Sequence, residues 1–426
     1  MRAQAGVQPS PVAISPSSSQ IKKTQSKDHI GIVKGSAAYR RINIALFAAG
    51  FCTFSLMYGV QAILPLFAHP FHVSAAESAL ALSLTTGFVA LSIVLVGTAS
   101  ENFGRKELMS MSMLGAAVLN LLAAFAPNWH VLLVLRALEG IMLGGVPAVA
   151  MAYLAEEIHP KGLGLAMGLY VGGNAIGGMV ARVTTGYLAE VSSWRVAMGV
   201  MGGLCLVLAL VFKALLPASK NFKRQTEFKM AFHINAFRSH LLRPELVVLF
   251  AVGFLMMGAF VTVYNYAGFR LLASPFNLSA TQVGFIFMAY IFGAIASSLA
   301  GEVADRFGRY PVLILGILLT ALGVGLTLSH ALVLIVMGII VMTIGFFTTH
   351  SIASSWVGRM AIGTKGHATS LYLLAYYMGA SVMGAFGGWF WDHGAWMSVV
   401  GFTGVLLILA LIAALVMRKF THASTI

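Results

Sequence analysis

Long apolar runs recur along most of this chain, and they constrain its fold more than any other feature. A helix needs about 20 predominantly apolar residues to cross the hydrocarbon core of a bilayer. Twelve stretches meet that requirement, and 59% of the 426 residues are hydrophobic while only 9% are charged. The predicted spans cover residues 42–67, 78–99, 107–126, 130–154, 163–189, 194–216, 245–271, 280–300, 310–329, 331–356, 366–390 and 396–417. The sequence therefore predicts an all-α membrane protein with twelve transmembrane helices.

The basic residues indicate how the chain is oriented. The net charge is +14, and most Lys and Arg residues lie in the amino-terminal tail and in every second connection between spans. This alternation is typical of the positive-inside rule, and it does not indicate a nucleic-acid partner. We predict a multi-pass protein of the cytoplasmic membrane with both termini in the cytoplasm.

One short polar stretch occurs twice, roughly half a chain apart. Residues 97–106 read GTASENFGRK, and residues 301–309 read GEVADRFGR. Trp194 and Trp396 match at nearly the same spacing. Six spans per half give both halves the same orientation, and parallel repeats of this kind enclose a binding site at their interface.

The repeat predicts a division of the chain into two six-helix bundles. The amino-terminal bundle covers 39–216 and the carboxy-terminal bundle covers 244–418, joined by a basic cytoplasmic linker at 217–243. Residues 1–38, rich in Ser, Pro, Gln and Lys, are predicted to be a disordered cytoplasmic tail, and 419–426 form a second tail.

The repeated motifs resemble those of the major facilitator superfamily, and the resemblance covers residues 40–418. Residues 97–106 are similar to the family's loop G-x-x-x-D-x-x-G-R-K, and 136–140 (RALEG) resemble its R-x-x-Q/E-G motif. Residues 173–178 (GNAIGG) resemble the G-P-x-x-G-G motif of the drug:proton antiporter branch. The stretch 136–178 looks most like inner-membrane transport proteins of the YnfM type.

The resemblance implies a secondary transporter that works by alternating access. In this superfamily spans 1, 4, 7 and 10 line the central cavity. We expect a monomer that binds a small molecule and protons within the bilayer, is driven by the proton gradient and needs no cofactor. The chain has no P-loop for ATP.

Three departures from the family pattern concern these motifs. Glu101 replaces the usual Asp of the loop, Asn102 stands where Arg is common, and Asn174 replaces the Pro of the antiporter motif. The antiporter-like residues are therefore Gly173, Asn174, Gly177 and Gly178.

The repeated loops are the predicted conformational switch. Their glycines allow helix ends to approach closely, and the carboxylate of each loop can accept hydrogen bonds from the exposed N–H groups of a neighbouring helix end. The resemblance implies a latch that breaks and re-forms during transport; the alternative is a loop that only sets orientation. Because one copy has Glu101-Asn102 where the other has Asp305-Arg306, we expect the two latches to be unequal in strength. The switch residues are Gly97, Glu101, Gly104, Arg105, Lys106, Gly301, Asp305, Arg306, Gly308 and Arg309.

Glu139 is the acid that lies deepest in a predicted span. An ionisable residue at mid-depth of a membrane is costly and indicates function. Arg136 lies three residues earlier on the same helical face, so the two side chains can pair. We predict that Glu139 and Arg136 couple transport to protons; a permanently paired structural dyad is the alternative.

Several other polar side chains are candidates for substrate binding. Tyr58 and Gln61 share a face of the first span. Tyr264 and Asn265 lie in the seventh span, and the resemblance assigns both spans to the cavity.

Two further candidates have alternative roles. Arg182, in the outer half of the fifth span, faces water or substrate, or else extends to the headgroups. His350, near the centre of the tenth span, is either titratable or a buried neutral hydrogen-bonding residue.

These features favour proton-coupled export of small organic compounds. A proton-coupled importer of a sugar or an organic acid is the main alternative. A membrane-embedded enzyme would need converging catalytic groups, of which the sequence gives no sign, and a non-transporting sensor stays open. No metal site is predicted, because the two cysteines lie within apolar runs.

Overall fold

The computed structural model describes residues 31–100, 104–219, 221, 230–361 and 363–421. Eleven helical stretches among them are long and apolar enough to cross a membrane. The first ten spans are Ala37–Phe71, Ala75–Gly97, Arg105–Ala124, Trp129–Glu157, Pro160–Val191, Trp194–Leu215, Pro244–Leu272, Ala280–Phe307, Arg309–Leu326 and Leu332–Met360. The last stretch, Lys365–Phe420, is twice the usual length.

The long final stretch is two spans rather than one. Its backbone leaves helical geometry at Gly394 and at Ala395, where φ is 48°. Spans 11 and 12 lie before and after that break, so the predicted twelve-helix fold is confirmed. Spans 8 and 10 extend several residues beyond their predicted ends at 300 and 356, because polar residues continue the helix past the apolar run.

Local sequence determines where several spans begin and end. Ser74 and Glu77 form a capping box at the start of span 2, and Asn128 caps span 4 through its side chain. Span 8 ends at Gly308, whose φ of 88° lies in the left-handed region that favours glycine.

Residues 31–38 are ordered, contrary to the predicted disordered tail. Ile32 forms an isolated parallel bridge with Ile158, and its N–H donates to the carbonyl of Glu157 over 2.8 Å. Ser36 then caps span 1, which begins at Ala37. The segment is ordered because the turn between spans 4 and 5 offers it free backbone partners. The tail prediction for residues 1–30 lies outside the described residues.

The predicted linker contains a helix, Met230–Leu241. The helix lies against the start of span 11, where His233 Nδ1 and His367 Nε2 are 2.9 Å apart. His240 Nε2 lies 2.9 Å from Thr364 Oγ1. Phe232 and Ile234 of this helix are exposed, and the ring of Phe232 also lies edge-on to that of His367.

Span 1 changes its geometry at mid-depth. It is α-helical over Ala37–Tyr58 and becomes a 3-10 helix over Gly59–Phe67, which contains Pro65. The transition turns the side chains after Tyr58 away from the register of an α-helix.

The two halves are in contact on one side of the membrane, whereas on the other side spans 5 and 8 separate while spans 2 and 11 stay close. We call the face that carries Ala37, Pro160 and Pro244 the terminal face, and the opposite one the distal face. Toward the distal face, Ser381 Oγ donates to the carbonyl of Ser83 over 2.6 Å. A Cβ at Gly186 would lie 2.7 Å from Ala280 O, so spans 5 and 8 touch through their backbones.

Toward the terminal face, spans 5 and 8 diverge. Gly164, Gly168 and Gly301 have no neighbouring atom within 4 Å of where a Cβ would be. Spans 2 and 11 remain close there, with Ser370 Oγ 3.7 Å from the Cβ position of Gly97. The structure is closed on the distal face and open toward the terminal face.

Candidate transport site

A cavity of about 150 Å³ lies at mid-depth between the two halves. Its volume is close to that of a protein cavity that holds one benzene ring. Spans 1 and 5 contribute one wall, and spans 7, 8, 10 and 11 contribute the other. The lining residues are Phe54, Tyr58, Val171, Asn174, Ala175, Gly178, Met257, Phe260, Tyr290, Ser297, Phe346, Phe347, His350 and Tyr376.

The lining differs from what the family resemblance implied. Spans 1, 7 and 10 contribute as expected, but span 4 adds no residue among those described. Its polar pair, Arg136 and Glu139, points into the first half instead. Spans 5, 8 and 11 take its place, since in this distal-closed state they converge around the cavity.

The second half presents an aromatic wall to the cavity. The rings of Phe260 and Phe346 stack with centroids 3.8 Å apart. His350 stacks on Phe346, and its Nδ1 lies 2.9 Å from the hydroxyl of Tyr372. His350, one of the predicted substrate-binding residues, thus lines the cavity, and one of its ring nitrogens is within hydrogen-bond distance of a neighbouring tyrosine hydroxyl.

Arg182 lies directly behind two of the lining tyrosines. Its guanidinium carbon is 4.6 Å from the ring centroid of Tyr58 and 4.7 Å from that of Tyr290. A third ring, that of Phe287, lies at 5.0 Å. The side chain is 1% exposed, so it does not extend to the headgroups. Aromatic faces and protein acceptors replace the water that we expected around it.

The hydrogen bonds of Arg182 join both halves. Nε donates to Gln61 Oε1 over 2.8 Å, and Nη1 donates to the carbonyl of Gly178 over 2.7 Å. Nη2 donates to the hydroxyl of Tyr290 in the second half over 3.2 Å. No carboxylate pairs with Arg182 among the described residues.

Gln61 and Asn265 connect the halves on the distal side of the cavity. Gln61 Nε2 donates to Asn265 Oδ1 over 2.7 Å, and both side chains are almost fully buried. Gln61, Asn265 and Arg182 were each predicted as substrate-binding residues, and the structure brings all three together. They form a layer behind the cavity rather than part of its lining.

Tyr264 lies in the same layer but within the second half. Its hydroxyl is hydrogen-bonded to Thr343 Oγ1 at 2.8 Å, and its ring stacks on Phe287. Among the predicted binding residues, Tyr58 and His350 line the cavity directly.

The predicted pair of Arg136 and Glu139 forms, fully buried inside the first half. Arg136 Nη1 donates to Glu139 Oε2 over 2.6 Å. The guanidinium also donates to the carbonyls of Leu56 and Met57, the last residues of span 1 before Tyr58. Glu139 Oε1 has no hydrogen-bond partner among the described residues. The dyad thus connects an incompletely satisfied carboxylate to the point where span 1 changes geometry.

The first repeated loop is tied to the end of span 4. Arg105 Nη2 lies 2.8 Å from Glu156 Oε1, and Arg105 Nη1 donates to Ser100 Oγ. Gly97 and Gly104 flank the loop, and Lys106 follows in the first turn of span 3. The predicted anionic residue, Glu101, lies outside the described residues.

The second loop has a weaker, more exposed ion pair. Arg309 Nη2 is 3.2 Å from Asp305 Oδ1, and Arg359 is 3.9 Å from the same atom. Gly301 has open space around it, Gly308 ends span 8, and Arg306 lies over the ring of Phe307.

Two residues of the antiporter-like motif pack against span 1, and the other two line the cavity. A Cβ at Gly177 would lie 2.6 Å from Phe51 Cα, and one at Gly173 would lie 3.2 Å from Phe47 Cα. These glycines therefore allow spans 1 and 5 to touch. Asn174 and Gly178 of the same motif line the cavity.

Sequence reasoning did not identify Tyr290, although it completes the environment of Arg182. A tyrosine within an apolar run has no distinctive pattern. The useful signal was the arginine, because a buried guanidinium in a membrane requires acceptors and aromatic faces from other spans.

Twelve apolar helices around a central cavity, closed at one face, define a polytopic membrane transporter. A family model described as Major Facilitator Superfamily matches residues 46–271 and 262–425. The chain belongs to the major facilitator superfamily, as the motifs predicted.

Two relatives that are named as transporters match this chain over nearly its whole length. The chain is 40% identical to the inner membrane transport protein YnfM of Escherichia coli (strain K12), over 96% of this chain and 98% of that protein. It is 42% identical to the uncharacterized MFS-type transporter YybF of Bacillus subtilis (strain 168), over 89% and 94%. It is thus a multi-pass transporter that works by alternating access, in a family of transporters rather than enzymes.

Solved structures share the fold. A bacterial homologue of the human lysosomal transporter Spinster superposes with a TM-score of 0.76 at 14% identity, covering 90% of this chain and 98% of that one. The nucleoside transporter NupG gives 0.74 at 15% identity, covering 89% and 99%.

Proposed function

We propose that this protein is a proton-coupled antiporter that exports small organic compounds across the cytoplasmic membrane. Substrate enters the mid-depth cavity from the terminal face, which carries the basic residues and which we assign to the cytoplasm. Both termini are then cytoplasmic. The proton gradient drives the cycle, without a cofactor.

The observation that carries this proposal is the dyad of Arg136 and Glu139. Protonation of Glu139 removes the charge that holds the guanidinium, so Arg136 loses its strongest partner. Arg136 also holds the carbonyls of Leu56 and Met57, and the next residue, Tyr58, lines the cavity. A proton taken up at Glu139 therefore acts on the segment of span 1 that contacts substrate.

Export is supported by the antiporter-like motif at 173–178 and by the opening toward the basic face. Import of an organic acid or a sugar in symport with protons is the second candidate. It is supported by the lining itself, because no carboxylate among the described residues contacts the cavity.

Flux into proteoliposomes tests the proposal and separates the two candidates. The probes are radiolabelled benzoate and glucose, with ethidium as a cation. Antiport predicts that an acidic interior drives accumulation of a probe, whereas symport requires an alkaline interior. No gradient-driven flux of any probe in either direction contradicts proton coupling.

Variants of two glutamates locate the coupling site. We expect Glu139→Gln to abolish the dependence on the pH gradient, because the amide cannot be deprotonated. Glu245→Gln is the matched control, since Glu245 pairs with Arg243 at the terminal face, away from the cavity. A Glu139→Gln protein that retains gradient-driven accumulation refutes the assignment.

A further inference from the structure

The cation next to the cavity has no counter-ion. Arg182 is permanently charged and 1% exposed, yet no carboxylate pairs with it among the described residues. A buried charge without a partner is costly unless some other group supplies the opposite charge. Glu139, a buried acid of the first half, is not available as a counter-ion because it is already paired with Arg136.

The guanidinium also retains hydrogen-bonding capacity. Arginine has five N–H donors, and three of those of Arg182 have acceptors: Gln61, Gly178 and Tyr290. Two N–H groups on the terminal nitrogens are left for an additional acceptor.

The tyrosines between Arg182 and the cavity present donors. The hydroxyl of Tyr290 accepts from Arg182 Nη2, so its own hydrogen is left to donate. The hydroxyl of Tyr58 is buried, and it has no hydrogen-bond partner among the described residues. Both rings line the cavity. Two phenolic donors in front of a cation stabilise a negative oxygen, whereas the positive charge of the same cation repels an ammonium group.

Phenylalanine rings make up much of the remaining lining. Phe260, Phe346 and Phe347 belong to the second half, whose wall also carries Ser297, His350 and Tyr376. Such a wall binds a hydrophobic or aromatic body, and the cavity of about 150 Å³ accommodates one ring.

We propose that the transported compound is an organic anion with an apolar, preferably aromatic, body. Its carboxylate accepts hydrogen bonds from Tyr58 and Tyr290 and neutralises Arg182, while its body packs against the phenylalanine wall. That this anion is transported rests on the proposed function, whereas the preference for binding an anion rests on the site alone.

Binding to purified protein in detergent tests the preference without any flux. The probes are matched triplets that share one body and differ in charge: benzoate, benzyl alcohol and benzylamine, with the corresponding naphthyl and biphenyl compounds. Thermal stabilisation is titrated for each at constant ionic strength. For the best-fitting body, we expect the carboxylate to bind about tenfold or more tightly than the alcohol or the amine.

Variants assign the preference to Arg182. Arg182→Gln should lower the affinity for the carboxylate about tenfold or more, to that of the alcohol, and leave the alcohol unchanged. Arg182→Lys should keep a weaker preference. The control is Arg195→Gln, because Arg195 also stacks on an aromatic ring and donates to carbonyls but lies away from the cavity. It should bind like the wild type.

Several outcomes overturn the proposal. These are equal or tighter binding of the amines, no triplet in which the carboxylate binds best, and an Arg182→Gln protein that keeps the preference. If Arg182→Gln does not fold, Tyr58→Phe and Tyr290→Phe decide, and a full preference in both refutes the site. If the carboxylates bind as expected but show no flux in proteoliposomes, the proposed function fails while the binding preference stands.

Discussion

The hydrogen bond between Gln61 and Asn265 offers a sharp test of how the distal face is held closed. The two side chains belong to different halves, and Gln61 Nε2 donates to Asn265 Oδ1 over 2.7 Å in a buried layer. Asn265→Leu leaves that N–H without an acceptor wherever the halves remain closed. In the distal-open state, by contrast, water reaches the amide.

The magnitude follows from the cost of an unsatisfied buried donor. Leaving one polar group buried without a partner costs about 1–3 kcal/mol. That cost falls on the distal-closed state alone. It is partly offset because Asn265→Leu also removes the buried Nδ2, which has no partner among the described residues, so the population ratio should shift toward distal-open by about 5-fold, the lower end of the range for such a cost. Replacing both partners with leucine removes the unsatisfied donor, so the double variant should shift less than Asn265→Leu alone.

Distances between spin labels across the distal face measure this shift. Labels at Val191 and Ser274 sit on exposed positions of the two halves. The native cysteines, Cys52 and Cys205, are buried and do not compete for label. We expect a longer distance to appear in Asn265→Leu and to diminish in the double variant.

A matched control lies one residue away. Tyr264→Phe also removes a buried hydrogen bond of span 7, but its partner Thr343 belongs to the same half. It should lower thermal stability without changing the distance distribution. Equal distributions in Asn265→Leu and wild type, or the same shift in Tyr264→Phe, would refute the assigned role of this hydrogen bond.

Three other predictions follow from packing, the loops and the linker helix. Gly177→Val should lower the melting temperature strongly, since a Cβ there meets the backbone of span 1, while Gly164→Ala should melt like the wild type because its surroundings are open. Arg105→Ala should reduce transport more than Arg309→Ala, because the Arg105–Glu156 pair is partly buried, whereas the Arg309–Asp305 pair is more exposed and contributes about 0–1 kcal/mol. Equal losses in the flux assay would contradict this. His233→Ala should speed proteolysis of the linker by releasing its helix from span 11, and unchanged cleavage would show that other contacts hold it.

Much of the fold was predictable because hydrophobicity acts locally. Each run of apolar residues must become a helix in lipid, so the twelve spans followed directly. Helix ends were less certain, because polar residues such as Asp305 continue span 8 past its apolar part. The pairing of Arg136 with Glu139 was also local, since residues three apart share a helical face.

The site was only partly predictable because its contacts join distant spans. Gln61, Arg182 and Asn265 were recognisable one by one, as polar groups that lipid does not tolerate. That they meet one another depends on the relative position of two halves, which no local pattern specifies. Tyr290 gave no signal of its own, and the expected contribution of span 4 came from the resemblance, not from residues.

Proton movement driven by substrate tests the central claim most directly. Proteoliposomes with a pH-sensitive dye inside are exposed to an inward gradient of the tightest-binding carboxylate. The pH change caused by free diffusion of the acid is measured in protein-free vesicles in the same buffer and subtracted. The account predicts that inward substrate flux moves protons outward and raises the internal pH, and that Glu139→Gln abolishes this change. Protons moving inward with the substrate, or no protein-dependent pH change during substrate flux, would contradict it.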